Sequence, residues 1–284
     1  MNIKVVVDSG CGLTKAEAEA KGLEYLPLQI IDENVTLLDG IDTTPQAMFK
    51  KIREGRMMST SLPPLGNIHK MFRRFKEEGV EHVITFTLSS GLSGTMQSIR
   101  MIAEESEMHF TCIETWTTCY IQAYLAEACL DLVKSGYKVD EIITRINESI
   151  RLSNTLIIPD DLNHLARGGR LTPMAAALGG MLKIKPILSL NATSGGKIDT
   201  FAKVRTMSKA IKEVIETFVE AGVDQGYVTC VLHTDALELA QSSAEQLKAA
   251  SGVKDVFVGT IGPVISVHTG NGCIGLQYIK NVRL

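Results

Sequence analysis

Residues 82–105 read HVITFTLSSGLSGTMQSIRMIAEE and predict a buried strand, a loop rich in glycine and hydroxyl groups, and an amphipathic helix. The opening run His82–Leu88 alternates and is rich in β-branched residues, as strands are. Met96, Ile99 and Ile102 then recur at helical spacing. A strand that leads through a loop into a helix is the building unit of α/β folds.

The loop within this stretch, Ser89–Thr95, combines glycines with serines and a threonine where the helix begins. Free backbone N–H groups and the positive end of the helix dipole meet there, which favours a carboxylate or a phosphate. Glycines and serines after a strand are also ordinary turn residues, so both interpretations stay open. The sequence G-L-S-G-T is neither the G-x-S-x-G elbow of hydrolases nor a P-loop, because no Gly-Lys-Ser/Thr follows.

The two halves of the chain differ in how strands and helices follow one another. In the first half strands alternate with helices, which favours parallel pairing. The end of the chain has three successive extended runs, Val256–Ile261, Val264–His268 and Cys273–Val282, which indicate a mixed sheet. We therefore predict an α/β protein of two domains: residues 1–159 with an α/β/α arrangement and a mainly parallel sheet, and residues 160–284 with a mixed sheet.

Composition and charge exclude several classes of protein. The chain of 284 residues is 45% hydrophobic and 21% charged, with a net charge of −3, so nothing attracts it to nucleic acid or to anionic membranes. No apolar run approaches the roughly 20 residues that span a bilayer, and the N-terminus lacks a signal pattern. The six cysteines show no C-x-x-C spacing, so buried free thiols are expected. We expect a cytoplasmic protein without stable membrane insertion, and the scattered histidines give no metal site.

Five further residues need a functional explanation to be weighed against an ordinary one. Thr60 and Ser61 precede two prolines and could be plain turn hydroxyls, and Arg170 follows two glycines and could neutralise a helix end. Arg205 could equally be a surface ion-pair residue. His268 is predicted at a strand end, just before a G-x-G-x-x-G match. That match lies too close to the C-terminus for the second half of a dinucleotide-binding unit.

Taken in order, the motifs resemble the DegV family, which includes the fatty-acid-binding subunit of bacterial fatty acid kinase. The resemblance spans nearly the whole chain in seven stretches: VDSGCGLT at 7–14, STSLPP at 59–64, SSGLSGT at 89–95, LARGGRL at 165–171, LKIKPIL at 182–188, KVRT at 203–206 and GPVISVHTGNGCIGLQY at 262–278.

The resemblance implies a protein that holds one long-chain fatty acid with its head group between the domains. The family's carboxylate ligands correspond to Thr60, with Ser61 adjacent, and to Ser93 in the glycine-rich loop. The implied carboxylate site consists of Thr60, Ser61, Ser93, Gly94, Arg170 and His268. These groups suit a carboxylate, because hydrogen bonds to a charged group are the stronger kind.

The resemblance also implies a division of labour with a second protein. Arg205 would help to dock an ATP-dependent fatty acid kinase subunit, which phosphorylates the bound acid to an acyl phosphate. This chain would be the lipid-binding carrier and not the enzyme, with no catalytic residue and no cofactor besides the bound acid. Leu62 replaces the family's usual amide and Asn271 its usual proline, which bears on acyl selectivity and on partner choice.

The walls of the acyl site are predicted from composition alone. The candidates are the adaptable methionines and the small-residue helix near them, namely Met57, Met58, Met174, Leu178 and Met181.

Two enzymatic alternatives remain open at this stage. One is a hydrolase with Ser93 as nucleophile and His268 as base, although the sequence offers no clear acid to orient that histidine. The other is a self-contained kinase that resembles the dihydroxyacetone kinases in architecture. It lacks a recognisable nucleotide loop.

Overall fold

The structure, a computed structural model, describes residues 2–180 and 184–283. The first part of the chain forms β1 (Ile3–Asp8), α1 (Lys15–Ala20), β2 (Glu24–Leu26), β3 (Gln29–Asp32), β4 (Val35–Leu38), α2 (Pro45–Arg53), β5 (Ser59–Ser61), α3 (Leu65–Glu77), β6 (His82–Thr87), α4 (Thr95–Glu105), β7 (Phe110–Glu114), α5 (Tyr120–Lys134) and α6 (Val139–Arg151). The second part forms β8 (Ser153–Ile158), α7 (Leu162–Arg167), α8 (Pro173–Ala176), β9 (Lys185–Leu190), β10 (Asp199–Val204), α9 (Met207–Glu220), β11 (Tyr227–His233), α10 (Leu237–Ser251), β12 (Val256–Thr260), α11 (Pro263–Thr269) and β13 (Ile274–Lys280).

The first sheet is parallel and lies between two helical layers. Its strands run in the order β2-β1-β6-β7, and every pair is parallel. Val6 packs with α3 and α4, whereas Val5 and Val7 pack with α5 and α6 on the other face. Both faces are apolar because successive side chains of a strand point to opposite sides. The predicted α/β/α arrangement is confirmed.

The second sheet is mixed, as predicted. Its six strands run in the order β10-β9-β8-β13-β11-β12, and only β11 and β12 pair in parallel. Helices α9 and α10 cover one face, where Phe218 and Leu247 are fully buried. The other face meets α7 and α8 through Leu162, Leu165 and Ala175.

Strand β8 belongs to the second sheet, although the predicted division at residue 159 counts it with the first domain. Its hydrogen bonds go to β13 and β9, and it has no partner strand in the first sheet. The chain therefore passes from the first sheet to the second between α6 and β8. The division into residues 1–159 and 160–284 as separate domains stays a prediction.

A small antiparallel sheet, β4-β3-β5, places a hydroxyl-bearing segment beside the first sheet. Thr60 lies in β5 opposite Ile30. Pro63 and Pro64 keep the chain extended after β5, and α3 begins directly after them at Leu65. The extended conformation predicted for this loop is thus part of a sheet.

The prediction of an extended run at Val264–His268 is wrong, because these residues lie in helix α11. Gly262 precedes the helix and Pro263 occupies its first turn, where proline's missing N–H costs nothing. The β-branched residues favoured a strand, yet Val264 and Val267 are three positions apart and pack on one helix face. His268 therefore lies in the last turn of a helix and not at a strand end.

The cysteines are free thiols, as their spacing predicts. All six thiols are free, and all are buried except the half-buried Cys112. Burial raises the pKa of Cys119 to about 12, because it penalises the thiolate. Within residues 2–180 and 184–283, no helix combines the length and the apolar character needed to cross a bilayer.

Candidate functional site

A cavity of about 290 Å³ lies on the face of the second sheet opposite α9 and α10. Its wall combines the loop after β6, the segment after β5, and helices α7 and α11. All six residues of the predicted carboxylate site line this cavity: Thr60, Ser61, Ser93, Gly94, Arg170 and His268. The structure therefore brings together residues from both halves of the chain, while their role as ligands stays a prediction.

The polar end of the cavity is centred on a contact between Thr60 and His268. Thr60 Oγ1 lies 2.7 Å from His268 Nε2, so the hydroxyl and the ring share a hydrogen bond. The other ring nitrogen faces Gly168, where a Cβ atom would come within 2.7 Å of Nδ1. A glycine at position 168 is thus what allows α7 and α11 to approach this closely.

His268 is neutral near pH 7 in the structure as it stands. Burial, followed by the positive charge of Arg170 and by His164, lowers its pKa from 6.5 to about 4. A neutral imidazole can still offer one N–H to an anion. The permanent positive charge at this end of the cavity consequently comes from Arg170.

Arg170 reaches across to the glycine-rich loop. Its Nη1 donates to the carbonyl oxygen of Gly168 at 2.6 Å, and its Nε donates to that of Leu92 at 3.4 Å. Among the ion pairs of the described residues none involves Arg170. The guanidinium thus donates to backbone carbonyl oxygens near a helix end, as the ordinary explanation holds. No described carboxylate pairs with it at the cavity wall.

Ser93 is held by a neighbour within its own loop. Its Oγ lies 2.9 Å from Oγ1 of Thr95 and accepts the Thr95 N–H at 3.3 Å. These contacts fix the Ser93 side chain at the N-terminus of α4, where Gly94 precedes the helix. Gly94 is exposed, and a Cβ atom there would make an ordinary contact with Leu62 at 3.7 Å, so the packing does not require a glycine at this position.

The expectation that this loop offers a set of free N–H groups is only partly correct. The N–H groups of Leu92 and Ser93 both donate to the carbonyl oxygen of Ser89. The N–H of Ser90 donates to the Glu114 carboxylate at 3.3 Å. The loop therefore satisfies most of its own backbone, and the hydroxyl groups and Arg170 become the main donors toward the cavity.

Two positioning features escaped the sequence analysis. Asp8 is fully buried and accepts hydrogen bonds from the Leu88 N–H at 3.1 Å and from Gln122 Nε2 at 2.8 Å, so it fixes the point where β6 enters the loop. Burial raises the pKa of Asp8 to about 7 even though its donors lower it. The turn before β10 supports the same loop, because Ser89 Oγ donates to the Gly196 carbonyl at 2.8 Å. The motif VDSG contained Asp8, but nothing local gave its long-range partner.

The remainder of the cavity wall is mostly apolar and differs from the predicted one. Apart from Thr118 and Thr269, it is formed by aliphatic side chains from several elements, namely Leu28, Leu62, Leu88, Leu92, Ile157, Leu165, Leu190, Ile198, Val264 and Ile265. Among the described residues, Met57, Met58, Met174 and Leu178 do not line it, and Met174 is 64% exposed. These four residues therefore do not form this cavity, and their contact with an acyl chain stays a prediction. Met181 lies outside the described residues.

Arg205 lies apart from the cavity. It follows β10 directly, it is exposed, and it does not belong to the cavity wall. Its predicted role in docking a partner stays a prediction. In the part of the chain that the structure describes, no cluster of histidine, cysteine or acidic residues could hold a metal ion.

Fold and site together define a class: an α/β protein with a parallel and a mixed sheet that share an apolar cavity with one polar, cationic end. The family model described as "Uncharacterised protein, DegV family" matches residues 2–281. The chain belongs to the DegV family.

Similar proteins cover the chain almost completely. A DegV domain-containing protein from Halalkalibacterium halodurans is 32% identical over 279 residues, which are 97% of this chain and 98% of that protein. The solved structure of a fatty acid binding DegV family protein from Streptococcus agalactiae is 28% identical, covers 99% of both chains and has a TM-score of 0.90. That of DegV, a fatty acid binding protein from Bacillus subtilis, is also 28% identical with the same coverage and a TM-score of 0.88.

Proposed function

We propose that this chain binds a long-chain fatty acid in the cavity and presents its carboxylate to an ATP-dependent kinase subunit, which converts it to an acyl phosphate. The observation that carries the proposal is the two-part character of the cavity: a mostly aliphatic wall, and one end where Thr60, Ser93, His268 and Arg170 meet. An acyl chain gains about 0.8 kcal/mol for each CH₂ group it buries, while its carboxylate needs donors and positive charge.

The similar structures support the lipid-binding part of this proposal. The proteins from Streptococcus agalactiae and Bacillus subtilis are described as fatty acid binding and share this fold over 99% of the chain. The phosphorylation step rests on the motif resemblance and on the exposure of Arg205. We expect the chain to act in the cytoplasm, where ATP is available, and to need no cofactor besides the bound acid.

The contacts at the polar end count against a hydrolase that uses Ser93 and His268. A nucleophilic serine is activated by a base within hydrogen-bonding reach. Here His268 Nε2 bonds to Thr60, whereas the Ser93 hydroxyl bonds to Thr95. No hydrogen bond from the described carboxylates orients the His268 ring, so the third member of a triad is missing as well.

Native mass spectrometry of the purified full chain tests the lipid-binding part. We expect a mass increase that matches a long-chain fatty acid, and titration of delipidated protein with palmitate should restore it. A protein that is purified empty and that ignores added palmitate would contradict the proposal. Adding the kinase partner and ATP to the loaded protein then tests phosphorylation, with unloaded protein as the control.

A further inference from the structure

A second, smaller cavity of about 100 Å³ adjoins the first. His268 and Arg170 line both cavities and therefore lie where the two meet. Ser59 of β5, with His164 and Arg167 of α7, completes the polar part of its wall, and none of the described residues that line it is acidic. A water molecule takes up about 30 Å³, so the volume suits a phosphate group and is far too small for a second acyl chain.

Among the described residues, no ion pair compensates the two arginines at this cavity. Arg167 is exposed in the last turn of α7, and no ion pair or side-chain hydrogen bond ties it to another described residue. Arg170 bonds only to carbonyl oxygens. His164 donates from Nε2 to the Val267 carbonyl at 2.9 Å, which holds its ring in place beside the cavity.

The positive groups beside His268 also affect its protonation. Besides burial, Arg170 and His164 lower the pKa of His268, because they disfavour a further positive charge there. A carboxylate brings only one negative charge to this region. A phosphate monoester brings close to two near neutral pH, and guanidinium groups bind it through paired N–H donors.

We infer that the smaller cavity binds the phosphate group of a phosphorylated lipid, with Arg167 and Arg170 as its two cationic partners. The inference rests on the function proposed above, because the hydrocarbon chain has to occupy the first cavity when its phosphate occupies the second. Free inorganic phosphate offers the same chemistry. The test therefore includes it as a separate ligand.

Calorimetric titration of the delipidated full chain with three ligands tests this site: palmitate, hexadecyl phosphate of the same chain length, and inorganic phosphate. The variants are Arg167→Gln and Arg167→Lys. Arg151→Gln is the matched control, since Arg151 is likewise an exposed arginine in the last turn of a helix. The unfolding midpoint of each variant shows whether it is folded, and a pH of about 8 keeps the phosphate close to doubly charged.

We expect Arg167→Gln to lower the affinity for hexadecyl phosphate by about tenfold or more while the affinity for palmitate changes by less than about twofold. Arg167→Lys should recover part of the loss, because it keeps the charge without the fork of donors. Arg151→Gln should change neither affinity.

The possible outcomes separate the inference from the proposed function. If Arg167→Gln lowers the affinity for palmitate and for hexadecyl phosphate equally, or lowers neither, the phosphate site is wrong. The proposed fatty acid binding is not contradicted by that outcome. If Arg167→Gln weakens inorganic phosphate alone, the site binds free phosphate, and the lipid assignment is wrong. A wild-type chain that does not bind palmitate overturns the proposed function and the inference with it.

Discussion

The hydrogen bond between Thr60 and His268 joins residues 208 positions apart in the chain. One lies in a three-residue edge strand and the other in the last turn of a short helix. The polar end of the cavity therefore exists only when both halves of the chain are folded against each other, and single-residue changes there report on the assembled site.

Replacing Thr60 with valine removes one hydroxyl while it keeps the shape of the side chain. If Thr60 binds the carboxylate, Thr60→Val should weaken palmitate binding by about 1–3 kcal/mol, the cost of losing a hydrogen bond to a charged group. Thr36→Val is the control, because Thr36 is an exposed threonine of the same small sheet. Equal affinities of the two variants, measured by calorimetry, would show that the head group lies elsewhere.

His268 predicts how stability depends on pH. Its folded-state pKa of about 4 lies below the ordinary value of 6.5, so between these values the unfolded chain binds a proton that the folded chain refuses. The contribution to stability is complete above pH 6.5 and is lost as the pH falls toward 4. Urea unfolding of the unliganded protein should show a steeper decline over this range for wild type than for His268→Gln.

The comparison with His268→Gln is needed because two buried carboxyl groups act in the opposite direction. Burial raises the pKa of both Asp8 and Asp39 to about 7, so the stability that they contribute is present at low pH and is lost as the pH rises toward 7. The contributions of Asp8 and Asp39 to stability are the same in wild type and in His268→Gln, so they cancel when the two pH profiles are subtracted. Parallel pH profiles for wild type and His268→Gln would contradict the assignment of a lowered pKa to His268.

At the scale of elements, the turn before β10 and the loop after β6 form one contact surface. Gly91 packs against the backbone of the turn, where a Cβ atom would lie 2.3 Å from the Gly196 carbonyl oxygen. Gly196 in turn has a φ of +69°, and its own Cβ atom would come within 2.0 Å of Ser89 Oγ and 2.8 Å of Trp116. The second half of the chain thus supports the loop that carries Ser93.

Gly196→Ala and Gly195→Ala separate this packing from backbone strain. Both glycines have a positive φ, but a Cβ atom on Gly195 meets nothing within 4 Å. We expect both alanines to destabilise through strain, and Gly196→Ala to lower the free energy of unfolding by about 1–3 kcal/mol more, as overpacking does. Chemical denaturation measures both. Equal losses would mean that the turn adapts without disturbing the loop.

The elements differ in how far the sequence predicts them. The parallel unit at His82–Glu105 is predicted well, because its periodicity and its glycines are local signals. Helix α11 is not, since Val264 and Ile265 favour a strand locally and only the packing of Val264 and Val267 against the first half selects the helix. The aliphatic wall escapes prediction for the same reason: its members come from separate elements that only tertiary packing brings together.

Strand β10 runs from the cavity toward Arg205, the residue predicted to dock a partner. Ile198, just before the strand, lines the cavity, and Arg205 follows the strand at its other end. A strand rises by about 3.3 Å per residue, so Arg205 lies roughly 20 Å along the chain direction from Ile198. Arg205 does not belong to the cavity wall, and its role in docking a partner protein stays a prediction.

Arg205→Ala therefore should separate lipid binding from phosphorylation. We expect its affinity for palmitate to equal that of wild type, because Arg205 does not line the cavity. Its phosphorylation by the kinase partner should fall by about tenfold or more, since arginines at the centre of an interface often contribute more than 1 kcal/mol. Arg151→Ala, another exposed arginine, is the control. Loss of palmitate binding would place Arg205 in the lipid site. Unchanged phosphorylation would place the kinase on another face. The variant therefore tests directly whether the lipid-binding site and the docking surface are separate.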